Sequence, residues 1–453
     1  MLMANYFKGL TGTVVTPLSP QYDEARQEWN RAIQKFPAVI VYCHNEKDVQ
    51  NAVLWARQRE VCIRIRSGGH HYEGYSTGNQ VLVIDLSEMS TIQLDEQAKH
   101  VTVQGGVNNS QLYRFLGSRG YPFPGGNCPT VGLSGFTLGG GWGYGCRYLG
   151  LGCDNLLELR LVNYKGEILT ANIHEHADLF WACRGAGGGN FGIVVSMTFR
   201  LPQKIDKVTL IQMSYPNAPS AAQAGFLDTW QKWLVGLDMR MGMQASIYNS
   251  IEEGMAIFGR GLFYGSPQEA AVLLLPFSQT PGLTVTLQYL PFLEAIAIIE
   301  ESYPESEKFK SPGRFVFKQY TPRELSQIVD LIKERPVGSA FVSVSLYALG
   351  GAVSQVPWQN TAYFYRQASY IMLIQSVWTD NQYARANRAW VQERFQYLKT
   401  ITKGSYVNFP YSPLANYERA YFGKNVPRLR AIKGSYDPCN IFCFPQSICS
   451  YDS

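Results

Sequence analysis

The 453-residue chain has no run of about 18 uncharged apolar residues, so no membrane-spanning helix is expected. Charged residues make up only 17% of it, and its net charge of +5 comes without any Lys/Arg block. That absence excludes the clustered basic stripe of a nucleic-acid surface. The start, Met1 to Leu10, has neither a basic n-region nor a continuous apolar h-region, so no secretory signal is expected. The nine cysteines are odd in number and spread thinly, and Cys439 and Cys443 lack CxxC spacing. A disulfide scaffold is therefore not expected, and the expectation is a cytoplasmic protein with mostly reduced thiols. No G-x-x-x-x-G-K-[ST] loop is present, nor a G-x-G-x-x-G opening a helix, nor a Gly-x-Ser-x-Gly elbow. P-loop, nicotinamide Rossmann and serine-hydrolase chemistry lose their support with them. Metal chemistry is not expected either. His70 and His71 are adjacent and would point to opposite sides of an extended segment, and His174-Glu175-His176 sits in a polar loop without further ligands.

What is present is ample core and many rings. The chain is 46% hydrophobic and 13% aromatic, with 28 tyrosines, enough for two or three domains and for a large ring-lined pocket. From Val39 to about Pro202, short strands and helices alternate. Val39 to Cys43 reads as a strand, and Asn45 caps a helix presenting Val49, Val53 and Ala56 on one face. Val61, Ile63 and Ile65 alternate with polar residues and run into a glycine loop. Val81 to Leu86 and His100 to Val103 read as strands, Ser110 to Arg119 as a helix, and Leu156 to Asn163 with Glu167 to Thr170 as a hairpin about Lys165-Gly166. The stretch from Gly125 to Gly152 is too glycine-rich for regular structure, and a further cluster, Gly185 to Gly192, opens into the strand Ile193 to Arg200. After Lys204 glycine thins. Helices are predicted over Ala221 to Leu237 and Asn381 to Leu398. Strands are predicted over Val208–Tyr215, Met241–Tyr248, Thr284–Leu290, Ala340–Tyr347 and Tyr370–Val377. The pattern predicts α+β architecture, with residues 1–203 (core about 36–203) as one domain, 204–405 as a second on a large antiparallel sheet flanked by helices, and 406–453 returning to the first.

Two glycine-rich loops each carry one nucleophile at their edge. These are the imidazole in Arg66-Ser67-Gly68-Gly69-His70 and the thiol in Gly125-Gly126-Asn127-Cys128-Pro129-Thr130-Val131-Gly132. Bare loops let backbone N–H groups approach a phosphate or a flat ring, and a neighbouring nucleophile can bond what sits there. The plain alternative is turn punctuation. Arg66 to Gly74 resembles the R-S-G-G-H-S-Y-E-G segment of berberine bridge enzyme-like flavoproteins, in the vanillyl-alcohol oxidase superfamily. So do Cys128-Pro129-Thr130-Val131-Gly132, the run Gly139 to Gly145, Gly152-Cys153-Asp154-Asn155-Leu156, Tyr421 to Asn425, Tyr436 to Phe442 and Gln446-Ser447-Ile448. The resemblance runs from about Phe36 to Ile448, with the motifs in order.

The resemblance implies a PCMH-type FAD-binding domain with FAD bonded twice, from His70 to the 8α-methyl and from Cys128 to C6. It implies further that Arg66, Ser67, Gly68 and Gly69 serve the pyrophosphate loop. Thr130, Val131, Gly132, Gly140, Gly145, Asp154, Asn155, Gly192 and Val194 would line the groove, with Asn408 and Asn440 at the ring and its edge. The reaction implied is hydride transfer from an alcohol or hemiacetal carbon of a carbohydrate or small natural product, with O2 reduced to H2O2. Val131, three places after Cys128, is the small residue seen in oxidases of the family. Relatives place a catalytic Tyr where this chain has Phe409, and a Glu or Gln where it has Leu373. The candidates for the vacant role are Tyr411, on the face of Phe409 if the strand stays extended, Gln375, and Tyr72. Two alternatives stand beside this reading: oxidation of a C–N bond or ring closure in an alkaloid-like metabolite, and a low-turnover, coat-type flavoprotein.

Overall fold

The computed structural model describes residues 7–450, and the leader reading falls partly on residues 1–6, outside the described residues. Three sheets follow one another along the chain. The first comprises β1 (Thr13–Val15), β2 (Val39–Tyr42), β3 (Ile63–Arg66) and β4 (Leu82–Asp85), in the order β1-β2-β4-β3. Strands β2 and β3 lie parallel to β4, and β1 runs antiparallel to β2. Parallel strands are covered on both faces, which is why Val39, Ile40 and Val41 are apolar without alternation and fully buried. The helix Glu46–Gln58 makes the crossover from β2 to β3. Asn45 caps it, its side chain accepting from the Asp48 amide at 3.1 Å, and Val49, Val53 and Ala56 form its buried face.

Arg66 ends β3 in register with Asp85 on β4 and donates to its carboxylate from Nε, with Glu28 at 3.8 Å on the other side. This buried ion cluster anchors the loop 67–72 beyond the carboxyl ends of the parallel strands, the usual place for a ligand in such sheets.

The second sheet comprises β5 (Ile92–Asp95), β6 (His100–Gln104), β7 (Leu156–Val162), β8 (Ile168–Asn172) and β9 (Ile193–Arg200), antiparallel in the order β5-β6-β9-β7-β8. The third comprises β10 (Lys207–Tyr215), β11 (Met241–Ser250), β12 (Gly254–Phe263), β13 (Thr284–Pro291), β14 (Phe309–Lys310), β15 (Gly313–Val316), β16 (Ser339–Ala348) and β17 (Tyr370–Trp378). Its order is β13-β10-β12-β11-β16-β17-β14, with β15 also on β17. Helices Ser220–Trp233 and Ala384–Ile401 cover one face, and Pro322–Asp330 packs on the first of them. The architecture is α+β. Among the described residues no helix is long and apolar enough to cross a membrane.

Several local expectations need correction. The glycine-rich stretch 125–152 holds two short helices, Leu133–Leu138 and Cys146–Leu149. Glycine there serves close packing rather than irregularity. Strand β12 was not expected. Gly261 is bare because a Cβ there would stand 2.3 Å from the Met243 side chain, so the strand trades a side chain for its neighbour's. The helices expected over 110–119, 221–237 and 381–398 span Asn109–Gly117, Ser220–Trp233 and Ala384–Ile401. The segment after Tyr406 turns instead of extending, with the Phe409 amide donating to the Tyr406 carbonyl at 3.0 Å.

The C-terminal segment is tied to the second glycine loop. Lys433, fully buried, donates to the Asn190 carbonyl at 2.7 Å, the Phe442 carbonyl at 2.8 Å and Asp437 at 2.7 Å. The Ile448 amide donates to the Asn190 side chain at 2.9 Å.

Candidate active site

One cavity of about 310 Å³ opens where the loop 67–72, the segment 126–136, the glycine loop 186–192 and the tail meet Tyr347 of β16. His70 and Cys128, 58 residues apart in sequence, both line it. They share a neighbour: the Thr130 hydroxyl lies 2.8 Å from His70 Nε2 and 4.0 Å from Cys128 Sγ. Burial lowers His70 to about 3, so its imidazole is neutral and keeps a lone pair for attack. Burial raises the Cys128 thiol to about 11, against the pull of the Thr130 amide and hydroxyl, which stabilise the thiolate. Trp29 stacks on the imidazole at 5.0 Å, holding its plane.

The amides of Ser67, Gly68, Gly69, His70 and His71 have no protein acceptor among the described residues. Such a row of free donors at the end of parallel strands suits a pyrophosphate. Gly68 must be bare, because a Cβ there would lie 2.2 Å from the Gly132 amide; the two glycine loops press directly on each other. These features fit a large flat cofactor with a phosphate tail.

Among the residues expected at the groove, Ser67, Gly68, Gly69, His70, Cys128, Val131, Gly132, Gly192, Val194 and Asn408 line this cavity. Asn408 donates to the Phe136 carbonyl at 2.9 Å and to the Tyr406 hydroxyl at 3.2 Å. Thr130 sits at the rim, exposed. The others do not line it. Arg66 is spent beneath the loop on Asp85 and Glu28. Asp154 accepts both ends of the Arg366 guanidinium at 2.7 Å, and Asn155 donates to the Leu149 and Leu151 carbonyls. Gly140 and Gly145 are buried beside the Tyr363 ring and the Tyr264 hydroxyl. Asn440 adopts φ +49° in the tail turn, away from the cavity lining.

The substrate-side candidates also divide. Tyr72 lines the cavity, stacked on Phe409 with centroids 5.3 Å apart and edge-on to Phe309 at 4.7 Å. Burial raises its phenol far above the usual value, so it is neutral. Tyr411 does not line the cavity: the turn at 407–409 sends its ring onto Phe395, at 4.2 Å. Gln375 is on the face of β17 that matches Tyr347, but opposite Ser343, about 13 Å along the sheet from the row of Tyr347. It does not line the cavity.

Sequence patterns singled out none of Trp29, Tyr303 and Tyr347, and Trp142 only as part of the run Gly139 to Gly145; all four line the cavity. Asn127 hydrogen-bonds the Tyr303 phenol, which burial holds at about 12. Trp142 meets Tyr347 edge-on at 4.5 Å, and Tyr347 meets Phe409 at 5.4 Å. The chamber is thus walled by rings, as an acceptor of a flat or cyclic donor molecule requires.

The fold and this cavity describe a flavin-dependent redox protein, and comparison with known proteins agrees. Residues 37–172 match the FAD binding domain family, and residues 405–449 match the family described as berberine and berberine like. The FAD-linked oxidoreductase YgaK of Bacillus subtilis is 37% identical over 448 residues, covering 97% of each chain. The xylooligosaccharide oxidase of Thermothelomyces thermophilus is 26% identical over 95% of this chain and 90% of its own length. The solved structure of Physcomitrella patens BBE-like 1 superposes with a TM-score of 0.90 at 27% identity, over 99% of both chains. The chain belongs to the berberine bridge enzyme-like FAD-linked oxidoreductases. It is an FAD-dependent oxidoreductase.

Proposed function

We propose that the protein is an oxidase that removes hydride from an alcohol or hemiacetal carbon of a carbohydrate or small natural product, with O2 as acceptor and H2O2 as product. The observation that carries this reading is the meeting of His70 and Cys128 at the Thr130 hydroxyl, on the edge of one ring-walled cavity. The flavin 8α-methyl and C6 flank the same corner of the benzenoid ring, so an imidazole and a thiol at one hydroxyl suit a double attachment. Bound there, FAD supplies the two-electron acceptor, its potential adjusted by both linkages. The free amides of 67–69 hold the pyrophosphate, Gly132, Gly192 and Val194 border the groove, and Asn408 holds the ring edge. Val131 leaves room beside the flavin for O2. In this reading residues 1–203 and 406–453 form the FAD half, and 204–405 form the half that presents the substrate. The nine cysteines, none in a disulfide, suit a reducing cytoplasm.

The xylooligosaccharide oxidase among the relatives supports a sugar donor. The rings of Tyr72, Phe309, Phe409 and Tyr347 support the second reading, an aromatic, alkaloid-like donor oxidised at C–N or closed into a ring. Acid precipitation tests the cofactor: a yellow pellet whose mass exceeds that of the chain by one FAD is expected, and pigment left in the supernatant refutes the linkages. Peroxide release across a panel of sugars, alcohols and cyclic amines then separates the two donor classes.

A further inference from the structure

The loop that carries His70 spends its two kinds of backbone group differently. Its amides, from Ser67 to His71, have no protein acceptor among the described residues, whereas its carbonyls are tied to the fold. The Arg66 carbonyl accepts from the Leu86 amide at 2.8 Å, that of Gly69 from the Trp29 amide at 3.0 Å and that of His71 from the Gly74 amide at 2.8 Å. A loop kept open for a phosphate cannot be held by its own donors, so it must be gripped from behind. Three consecutive residues do so. Glu28 accepts from the Ser76 hydroxyl at 2.6 Å and lies 3.8 Å from Arg66, which joins the two ends of the stretch 66–76. Asn30, 2% exposed, donates to the Tyr72 carbonyl at 3.1 Å. Between them, Trp29 holds Gly69 with its amide and lays its ring on the His70 imidazole, centroids 5.0 Å and planes 25° apart. Both Trp29 and His70 line the cavity.

The imidazole is thereby fixed from two directions. Thr130 meets its Nε2 at 2.8 Å, which alone leaves the ring free to tilt about that one hydrogen bond; the indole on its face removes this freedom. Trp29 is itself backed by a distant segment: its carbonyl accepts from the Glu307 amide at 3.2 Å, and its ring meets Phe309 edge-on at 5.7 Å. The indole Nε1 is buried without a protein partner among the described residues, so what Trp29 gives His70 is a ring face and not a hydrogen bond.

We infer that Trp29 is the positioning residue for flavin attachment at His70, holding the imidazole in the orientation from which a ring nitrogen reaches the 8α-carbon. The inference rests on the double-attachment reading above. In that attachment a nitrogen–carbon bond forms while one 8α C–H bond and the imidazole N–H bond break. Two electrons and two protons pass to the flavin ring, and O2 removes them as H2O2. Trp29 takes no part in these bonds. It fixes the approach, and misplacement by about 1 Å costs such a step about a hundredfold.

The test reads the site of linkage and not turnover. Full-length wild type, Trp29→Leu and Trp29→Phe are purified with their flavin, precipitated in acid and mapped by peptide mass. Trp29→Leu keeps apolar bulk but loses the ring. It is expected to hold flavin through Cys128, with less than about a tenth of its His70 peptide modified. The surviving Cys128 linkage shows that the pocket has folded and loaded. Trp29→Phe still presents a ring face and should restore most of the His70 linkage. In the Cys128→Ala background His70 is the sole attachment. There Trp29→Leu should be yellow before acid and release most of its pigment, whereas Cys128→Ala alone retains it. Trp29→Met, a second ringless variant, is read in parallel so that the comparison stands if Trp29→Leu is not recovered in soluble form. Three results overturn the inference: His70 linked as fully in the ringless variants as in wild type, Trp29→Phe no better than they are, or both linkages lost together, which would make Trp29 a support of the whole pocket. Failure of the attachment reading shows differently, because the wild type itself then gives up its pigment to acid.

Discussion

Phe409 lies stacked on Tyr72, ring centroids 5.3 Å apart and planes 19° apart, so the one phenol of this pair points its chemistry from Tyr72 alone. Buried among rings, that phenol stays protonated throughout the accessible pH range, so it offers a hydrogen bond and does not take up a proton. Tyr72→Phe should therefore lower kcat/KM by about tenfold, the usual worth of one hydrogen bond to a reacting group, and leave the pH–rate profile unmoved. A pH–rate profile that moved in Tyr72→Phe would make Tyr72 a proton acceptor.

Thr130 touches both groups proposed to hold the flavin, and its amide and hydroxyl are what stabilise the Cys128 thiolate. Cys128→Ala should leave flavin bonded through His70 only, read as unchanged mass gain with a changed absorbance of the acid pellet. Thr130→Ala removes the hydroxyl and lets burial raise the thiol further above about 11. A slower or partial attachment at C6 is expected, seen as a mixture of singly and doubly linked flavin in peptide mass maps. Full double linkage in Thr130→Ala would show that the hydroxyl plays no part.

Val131 lines the cavity three residues beyond Cys128. Val131→Leu adds one methylene beside the space assigned to O2. Rapid mixing of pre-reduced protein with oxygen should show slower reoxidation, with flavin reduction by the donor unchanged. Equal reoxidation rates would remove Val131 from the oxygen path.

Asp154 and Arg366 allow the role of a motif residue to be tested. Both are buried, and their two hydrogen bonds of 2.7 Å join the turn before β7 to the segment before β17. Removing one partner strands the other charge, which costs about 3–5 kcal/mol. Asp154→Ala should therefore lower the melting temperature while the protein that does fold carries its full flavin. Normal stability with flavin lost would return Asp154 to the groove.

The motif Gly152-Cys153-Asp154-Asn155 shows where sequence reading works and where it stops. Glycine loops ending in a nucleophile announce themselves locally, so His70 and Cys128 could be singled out from the chain alone, as could β2, its crossover helix and the strands of the third sheet. A matching motif does not say whether its residue touches a ligand or locks the fold. Asp154 and Asn155 hydrogen-bond within the fold and Gly140 and Gly145 pack closely, whereas the Asn440 side-chain oxygen is buried without a protein partner among the described residues. Strand β12 escaped because Gly259 and Gly261 weaken its alternation while leaving space for the methionines beside them. Trp29 and Tyr303, which line the cavity, carry no local signal. They matter only because the bridge from Asn30 to Glu307 and the clamp of Asn30 on Tyr72 bring distant segments together.

The buried carboxyl of Glu307 leaves a trace in stability. In the unfolded chain its carboxyl ionises near 4.5, whereas in the fold burial holds it at about 7. The fold thus prefers the neutral acid: below the unfolded value both states are protonated and nothing is lost. As pH rises from there to about 7, the unfolded state releases its proton first and gains on the folded one. Above about 7 the full difference persists, on the order of 3 kcal/mol for a shift of this size. Glu307→Gln, neutral at every pH, should therefore be more stable than wild type at pH near 8. The gain should shrink through the acid range and vanish below about pH 4.5, where the two side chains carry the same charge. Denaturant titrations at both ends of that range measure it. An equal difference at every pH would mean that the carboxylate is not held out of water.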